Sequence, residues 1–175
     1  MNPEMKRILC VAVLLVFFSL PSLAQAQYEI SRDPKHPEVT VLRGFINKYL
    51  VQNDTSFSWY SSNQKIYGPD TSVLNAFERT KGKIQFVVFG GTWCEDTQFV
   101  LPRFFKLQEM SGVKDDMITF FGVNREKRSL GGIAEAFGIT NVPTIIAMKD
   151  GKELGRVVEY GKTGKWDKEL AELLK

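Results

Sequence analysis

Ile84-Gln-Phe-Val-Val-Phe-Gly-Gly-Thr-Trp-Cys-Glu-Asp-Thr97 reads as a strand, a glycine turn and the first turn of a helix, with a cysteine at the joint. Ile84 to Phe89 is an almost unbroken apolar run, the pattern of a strand buried on both faces. Gly90 and Gly91 permit a tight turn; the lysine and hydroxyl residue of a phosphate-binding loop do not follow them. A helix is predicted from about Glu95 to Met110. Cys94 therefore stands where a buried strand hands over to a helix, on the side of an open α/β sheet where ligands bind. The amides and macrodipole of a helix N-terminus stabilise a thiolate, the nucleophilic form of cysteine.

Outward from this stretch the elements alternate. Asp70 or Thr71 is expected to cap a helix carrying Val73, Leu74 and Phe77, which ends near Lys81-Gly82. Ile118 to Val123 reads as a second buried strand, followed by a helix with Leu130, Ile133, Ala134 and Phe137 that ends at Gly138. Ile145 to Met148 and Glu153 to Glu159 are strands joined through Asp150-Gly151, a strong hairpin signal. Thr163 is expected to cap a last helix with Trp166, Leu170, Leu173 and Leu174 on one face. The order β-α-β-α-β-β-α predicts an α/β fold with a mixed central sheet flanked by helices. Upstream, Pro37 to Leu50 places Val39, Leu42, Ile46, Tyr49 and Leu50 on one helical stripe. Phe57 to Tyr60 and Lys65 to Tyr67 suggest short strands around Ser61-Ser-Asn63, and Gly68-Pro69 marks a boundary. The expected organisation is a signal peptide over 1–26, an N-terminal helical extension over 27–67 and a folded domain over 68–175.

From about Asp70 to Lys175 the chain resembles the thioredoxin superfamily. Phe86 to Cys94 is similar to that family's central strand running into a Trp-Cys motif, and Pro102, eight residues past Cys94, falls where the family kinks its active-site helix. Val142-Pro143-Thr144 resembles the segment that holds the family's cis-proline, and Lys149 to Glu153, Gly161 and the closing helix match its end. The resemblance implies a thioredoxin fold with Cys94 as the attacking sulfur. It also implies a backbone edge at Val142 and Pro143 that pairs with the extended chain of a substrate, with Trp93 beside the thiol as a substrate contact.

The chain departs from that pattern in three places. The family's second cysteine falls at Thr97, which cannot resolve a mixed disulfide but could donate a hydrogen bond to the Cys94 thiolate. The family's buried acid on the central strand falls at Val88. Glu95 and Asp96 bring negative charge next to the sulfur and oppose the helix terminus; Asp96 reads either as a local proton acceptor or as a plain helix-start carboxylate. Thr92 and Trp93 read equally as substrate contacts and as packing.

The start of the chain carries an address. Lys6 and Arg7 precede the apolar run Ile8 to Leu20, about 13 residues where a membrane span needs roughly 20, and Ala24-Gln-Ala26 reads as a cleavage site. An exported protein, periplasmic in preference to secreted, is expected. Removing Glu4, Lys6 and Arg7 leaves 21 basic and 19 acidic residues, too balanced to suggest nucleic acid as a partner. Cys10 would leave with the signal, so the mature chain would carry Cys94 alone and form no internal disulfide. That excludes a disulfide framework and a cysteine-rich zinc site. The only histidine, His36, is expected in solvent; no metal and no cofactor is implied. The function this suggests is monothiol thiol–disulfide exchange on an exported protein or a low-molecular-weight disulfide, resolved by an external thiol donor. A non-catalytic binding module for extended chains and a Cys94-linked dimer are the alternatives.

Overall fold

The computed structural model describes residues 2–3 and 26–175; the expected signal segment lies almost wholly outside the described residues. Among these residues six strands form one mixed sheet: β1 (Tyr28–Arg32), β2 (Thr40–Ile46), β3 (Gln85–Gly90), β4 (Ile118–Gly122), β5 (Thr144–Lys149) and β6 (Lys152–Val158), in spatial order β1-β2-β4-β3-β5-β6. Only β3 and β4 are parallel; β1–β2, β2–β4, β3–β5 and β5–β6 are antiparallel. The helices are α1 (Lys48–Gln52), α2 (Trp59–Lys65), α3 (Thr71–Arg79), α4 (Glu95–Ser111), α5 (Ile133–Ala136) and α6 (Trp166–Leu173).

Strand alternation sorts the core into two layers. Phe86 and Val88 of β3 face a large cluster with Phe77 of α3, Val100, Leu101 and Phe104 of α4 and Leu170 of α6. Phe89 faces the other side with Val123, Ala134, Ile139, Val142 and Ile146. Phe77 stacks on Phe86 at 5.3 Å between centroids, and Phe104 meets both rings edge-on. Burying each such ring is worth about 1.5–3 kcal/mol relative to exposure. Pro102 sits inside α4, where the sequence places it, and Asp150 and Gly151 both take positive φ at the β5–β6 turn. The helix expected over 130–137 is shorter, a 3-10 turn at Leu130–Gly132 followed by α5, because Gly131 and Gly132 both adopt left-handed backbone. Thr163 does not cap the last helix: α6 starts at Trp166, and Thr163 instead donates to the Glu169 carboxylate from both its amide and its hydroxyl.

The expected helical extension over 27–67 is corrected most. Residues 28–32 and 40–46 form a hairpin that carries the sheet outward from β4, and of the helix expected over Pro37 to Leu50 only Lys48 to Leu50 is helical, as the start of α1. The helical stripe was a coincidence of spacing. Thr40, Val41, Leu42 and Ile46 are buried in strand conformation, and Gly44 sits at φ +115° where a Cβ would strike Gln27 O at 2.5 Å. That glycine was the available signal for a strand with close backbone approach. No strand forms at 57–60 or 65–67: Phe57 ends a 3-10 turn, Thr55–Phe57, residues from Trp59 to Lys65 are α2, and Ile66 and Tyr67 follow its end. Aromatic content suggested strands, but Phe57 and Tyr60 stand three apart, as on one helical face, and both are buried in the main cluster beside α4. The Asp54 carboxylate starts that turn by accepting from the Ser56 amide.

Candidate functional site

Cys94 is the N-cap of α4, in extended backbone, with its amide donating to Gly91 O at 2.9 Å and its carbonyl accepting from Gln98 N at 2.9 Å. Its side chain is half-buried, and Sγ donates to the carbonyl of Val142 at 3.3 Å. The Val142–Pro143 peptide bond is cis. Strand β3 and its antiparallel neighbour β5 bring these two distant segments together, since Phe89 pairs with Thr144. The sulfur therefore has a helix terminus on one side and a backbone edge on the other.

The glycines before Cys94 are there for space. A Cβ on Gly91 would meet the Trp93 indole at 2.6 Å, and one on Gly90 would meet Leu101 at 2.6 Å. Trp93 lies back over the end of the sheet, with Nε1 donating to Val123 O at 2.9 Å. The Arg125 guanidinium carbon sits 4.8 Å from its ring centroid and Lys127 Nζ 5.7 Å away. Thr92 is buried and structural: its hydroxyl donates to Thr40 O at 2.8 Å and accepts from Leu42 N at 3.2 Å, tying the loop to β2.

Thr97 is 1% exposed and points inward, where its hydroxyl accepts from the Gly91 amide at 3.2 Å. The expected hydrogen bond to Cys94 is not formed; the hydroxyl is taken up in holding the glycine turn. Asp96 is half-buried and lies beside Tyr160, whose hydroxyl is pushed above its ordinary value first by burial and then by the Asp96 carboxylate. Val88, at the place of the family's buried acid, is fully enclosed in the core. Among the described residues no group of three or more His, Cys, Asp or Glu could hold a metal ion.

The groove beside Cys94 has a volume of about 560 Å³. One wall is Trp93, Glu95, Asp96 and Gln98; the other is His36, Glu38 and Val39 from the β1–β2 loop. His36 is exposed, as expected, but it lines the groove instead of standing apart from it. Sequence reasoning missed this wall because it assigned Glu38 and Val39 to a helix. Arg125, within the charged run Arg125-Glu-Lys-Arg128, also belongs to this side of the site. Arg125 Nε donates to Asp33 Oδ2 at 2.5 Å, and the Asp33 side chain is fully buried. Asp33 Oδ1 accepts from the amides of Lys35 at 2.8 Å and His36 at 3.1 Å. Burial alone would raise the Asp33 carboxyl, but the Arg125 bond and the two amide bonds outweigh it and hold it below its ordinary 3.8. The signal was present: an Asp-Pro pair in which the aspartate bonds backbone two and three residues on is a turn former.

The sheet order, the cis-proline edge and the cysteine-capped helix together decide the architecture. The chain has the thioredoxin fold. It is 30% identical over 83 residues to Thioredoxin H2-2 of Oryza sativa subsp. japonica, covering 47% of this chain and 58% of that protein. It is 32% identical over 79 residues to a thioredoxin of Mycolicibacterium smegmatis, covering 45% of this chain and 66% of that protein. With the mitochondrial Thioredoxin-2 of Schizosaccharomyces pombe it shares 28% identity over 123 residues, 67% of this chain and 88% of the relative. The chain thus spans under two thirds of the first two relatives. No protein-family profile matches it. Among solved structures, an HIV epitope scaffold superposes with a TM-score of 0.50 at 15% identity, over 71% of this chain and 86% of the scaffold, a likeness of fold alone.

Proposed function

We propose that this is an exported monothiol thiol–disulfide exchange protein acting through Cys94. The observation that carries the reading is the placement of Cys94 Sγ at the N-cap of α4, 3.3 Å from the Val142 carbonyl that precedes cis Pro143. In the first step the Cys94 thiolate attacks one sulfur of a substrate disulfide. A Cys94–substrate S–S bond forms, the original S–S bond breaks, and the departing thiolate takes a proton from solvent. Helix-terminus amides favour the attacking anion, and the backbone edge at Val142 and Pro143 aligns an extended substrate chain beside it. With Thr97 in the place of a second cysteine, resolution comes from an external thiol, which attacks the mixed disulfide and releases Cys94.

The substrate on this reading is an exported polypeptide or a low-molecular-weight disulfide, met in the periplasm in preference to the outside medium. A second reading, a non-catalytic holder of extended chains, draws support from Val88 and Thr97, which remove the family's acid and resolving sulfur. Incubating the chain over 27–175 with oxidised glutathione and measuring intact mass against pH separates the two. A Cys94 adduct that grows with rising pH and disappears with added thiol is expected. Absence of any adduct would leave only the binding reading, and the Cys94→Ser protein serves as the control.

A further inference from the structure

We propose that Asp33 and Arg125 are positioning residues for the Cys94 site, and that the β1–β2 loop they lock is the wall that reads a polypeptide substrate. The proposal rests on the thiol-exchange reading above. Its core is a chain of contacts running from the hairpin to the cysteine. The Asp33 carboxylate is fully enclosed and organises residues 33–39 through the Lys35 and His36 amides, while Asp33 N donates to Val39 O at 2.9 Å. Its second oxygen takes Arg125 Nε, and the Arg125 guanidinium lies against the Trp93 ring. Trp93 is the residue immediately before Cys94, pinned from its far edge by Val123 O.

A buried carboxylate tied to a cation is costly to assemble, and satisfied polar networks of this kind fix one geometry in preference to many. Here the geometry fixed has two consequences. The indole is fixed between Arg125 on its ring and Val123 O at its nitrogen, where it lines the groove next to Cys94. The loop is also held up as the facing wall, with His36, Glu38 and Val39 lining the groove. A small disulfide reaches Cys94 without touching that wall. A disulfide within a peptide lies along the Val142–Pro143 edge and contacts it. Loosening the clamp should therefore penalise peptide substrates selectively.

The test uses the 27–175 protein and three probes of Cys94: iodoacetamide, hydroxyethyl disulfide, and a ten-residue peptide carrying a single mixed disulfide. The Asp33→Asn variant is expected to react with the first two within about twofold of wild type and with the peptide at least tenfold more slowly. Its Trp93 emission, isolated by difference from Trp93→Phe, should shift as the ring is freed. Removing one member of a buried pair can unfold a protein, so Asp33→Asn combined with Arg125→Met, which leaves no unpaired charge, is measured in parallel. Arg125→Lys should recover part of the peptide rate, because it keeps the charge but not the planar stacking group. Equal loss with all three probes would mean a purely structural role, and unchanged peptide rates in the folded double variant would overturn the proposal. If wild-type Cys94 forms a disulfide with neither disulfide probe, the thiol-exchange reading itself fails, whatever the clamp does.

Discussion

At Gly91 a single added carbon decides whether the loop keeps its shape. A Cβ there would stand 2.6 Å from Cε2 and Nε1 of Trp93, and the indole has little room to yield because Val123 O holds its nitrogen. Gly91→Ala is expected to cost about 1–3 kcal/mol, the usual penalty of overpacking. Urea unfolding measures the loss, and a changed Trp93 emission would locate it. Thr97 poses the opposite case, a side chain that fits but lacks the chemistry. Thr97→Cys gives up the hydroxyl bond to the Gly91 amide, worth about 0.5–1.5 kcal/mol, and supplies an internal sulfur one helical turn from Cys94. On the thiol-exchange reading it should raise reduction of a protein disulfide with thioredoxin reductase as electron source, from near zero in wild type. A flat result would mean that Sγ at 97 stays turned into the core. At this scale Cys94, Val142 and Pro143 were legible because each sits in a spaced motif. The inward hydroxyl of Thr97 was not, since a threonine one turn past a cysteine is compatible with either bonding partner until the fold assigns the Gly91 amide to it.

The elements that the sequence shows least well are those whose pattern serves two periods. Val39, Leu42, Ile46 and Tyr49 satisfy a helical stripe, yet β2 wins because its backbone completes the ladder beside β4. β3 is less ambiguous, since its run is short, almost unbroken, rich in valine and phenylalanine and closed by glycines, all of which favour a strand. Helix α1 is only five residues long and cannot be stable by itself. It is docked by the buried Lys48, whose ammonium reaches Gln108 Oε1, Glu109 Oε1 and Asp115 Oδ1, each at 2.9 Å. Tyr49 adds a hydroxyl bond to Asp115 at 2.7 Å. Burial by itself would lower the Lys48 pKa, but the hydrogen bonds its ammonium donates to Asp115 and Glu109 outweigh it and raise it above 10.5. A raised cation stabilises the fold fully below the unfolded value of 10.5 and loses that contribution as pH climbs through the higher folded value. Lys48→Met keeps the stem's packing and removes the charge, and about 1–3 kcal/mol of destabilisation is expected near neutral pH. The difference between wild type and variant should shrink above pH 10.5 when unfolding is followed by circular dichroism. A difference that stays constant there would mean that the ammonium contributes nothing through its charge.

Across the whole molecule the question is whether residues 27–67 are an appendage or part of one folding unit. The motifs that resemble thioredoxins begin near Asp70, which makes the upstream segment look separable in the sequence, although the match to the Schizosaccharomyces pombe relative takes in 67% of the chain. In the structure Leu42, Ile46, Val51, Phe57 and Tyr60 belong to the same buried cluster as Phe86, Phe104 and Leu170. β2 covers what would otherwise be an open edge of β4, and the loop before it supplies one wall of the Cys94 groove. Removing the segment would strip five large side chains from the core, and truncating even one such residue costs about 2–5 kcal/mol. Total stabilities of single domains are only about 5–15 kcal/mol. The 68–175 fragment is therefore expected to show no cooperative thermal transition, whereas 27–175 should unfold in one step with tryptophan fluorescence and far-UV circular dichroism coinciding. A fragment that melts cooperatively near the temperature of the longer chain would show that the hairpin and α1–α2 ride on an independent domain. The Asp33–Arg125 clamp gives a sharper form of the same test. Because it joins the first hairpin to the loop after β4, amide exchange in 33–39 and in 123–128 should slow and quicken together across clamp variants. Independent protection in the two segments would mean that the groove wall moves without the cysteine loop.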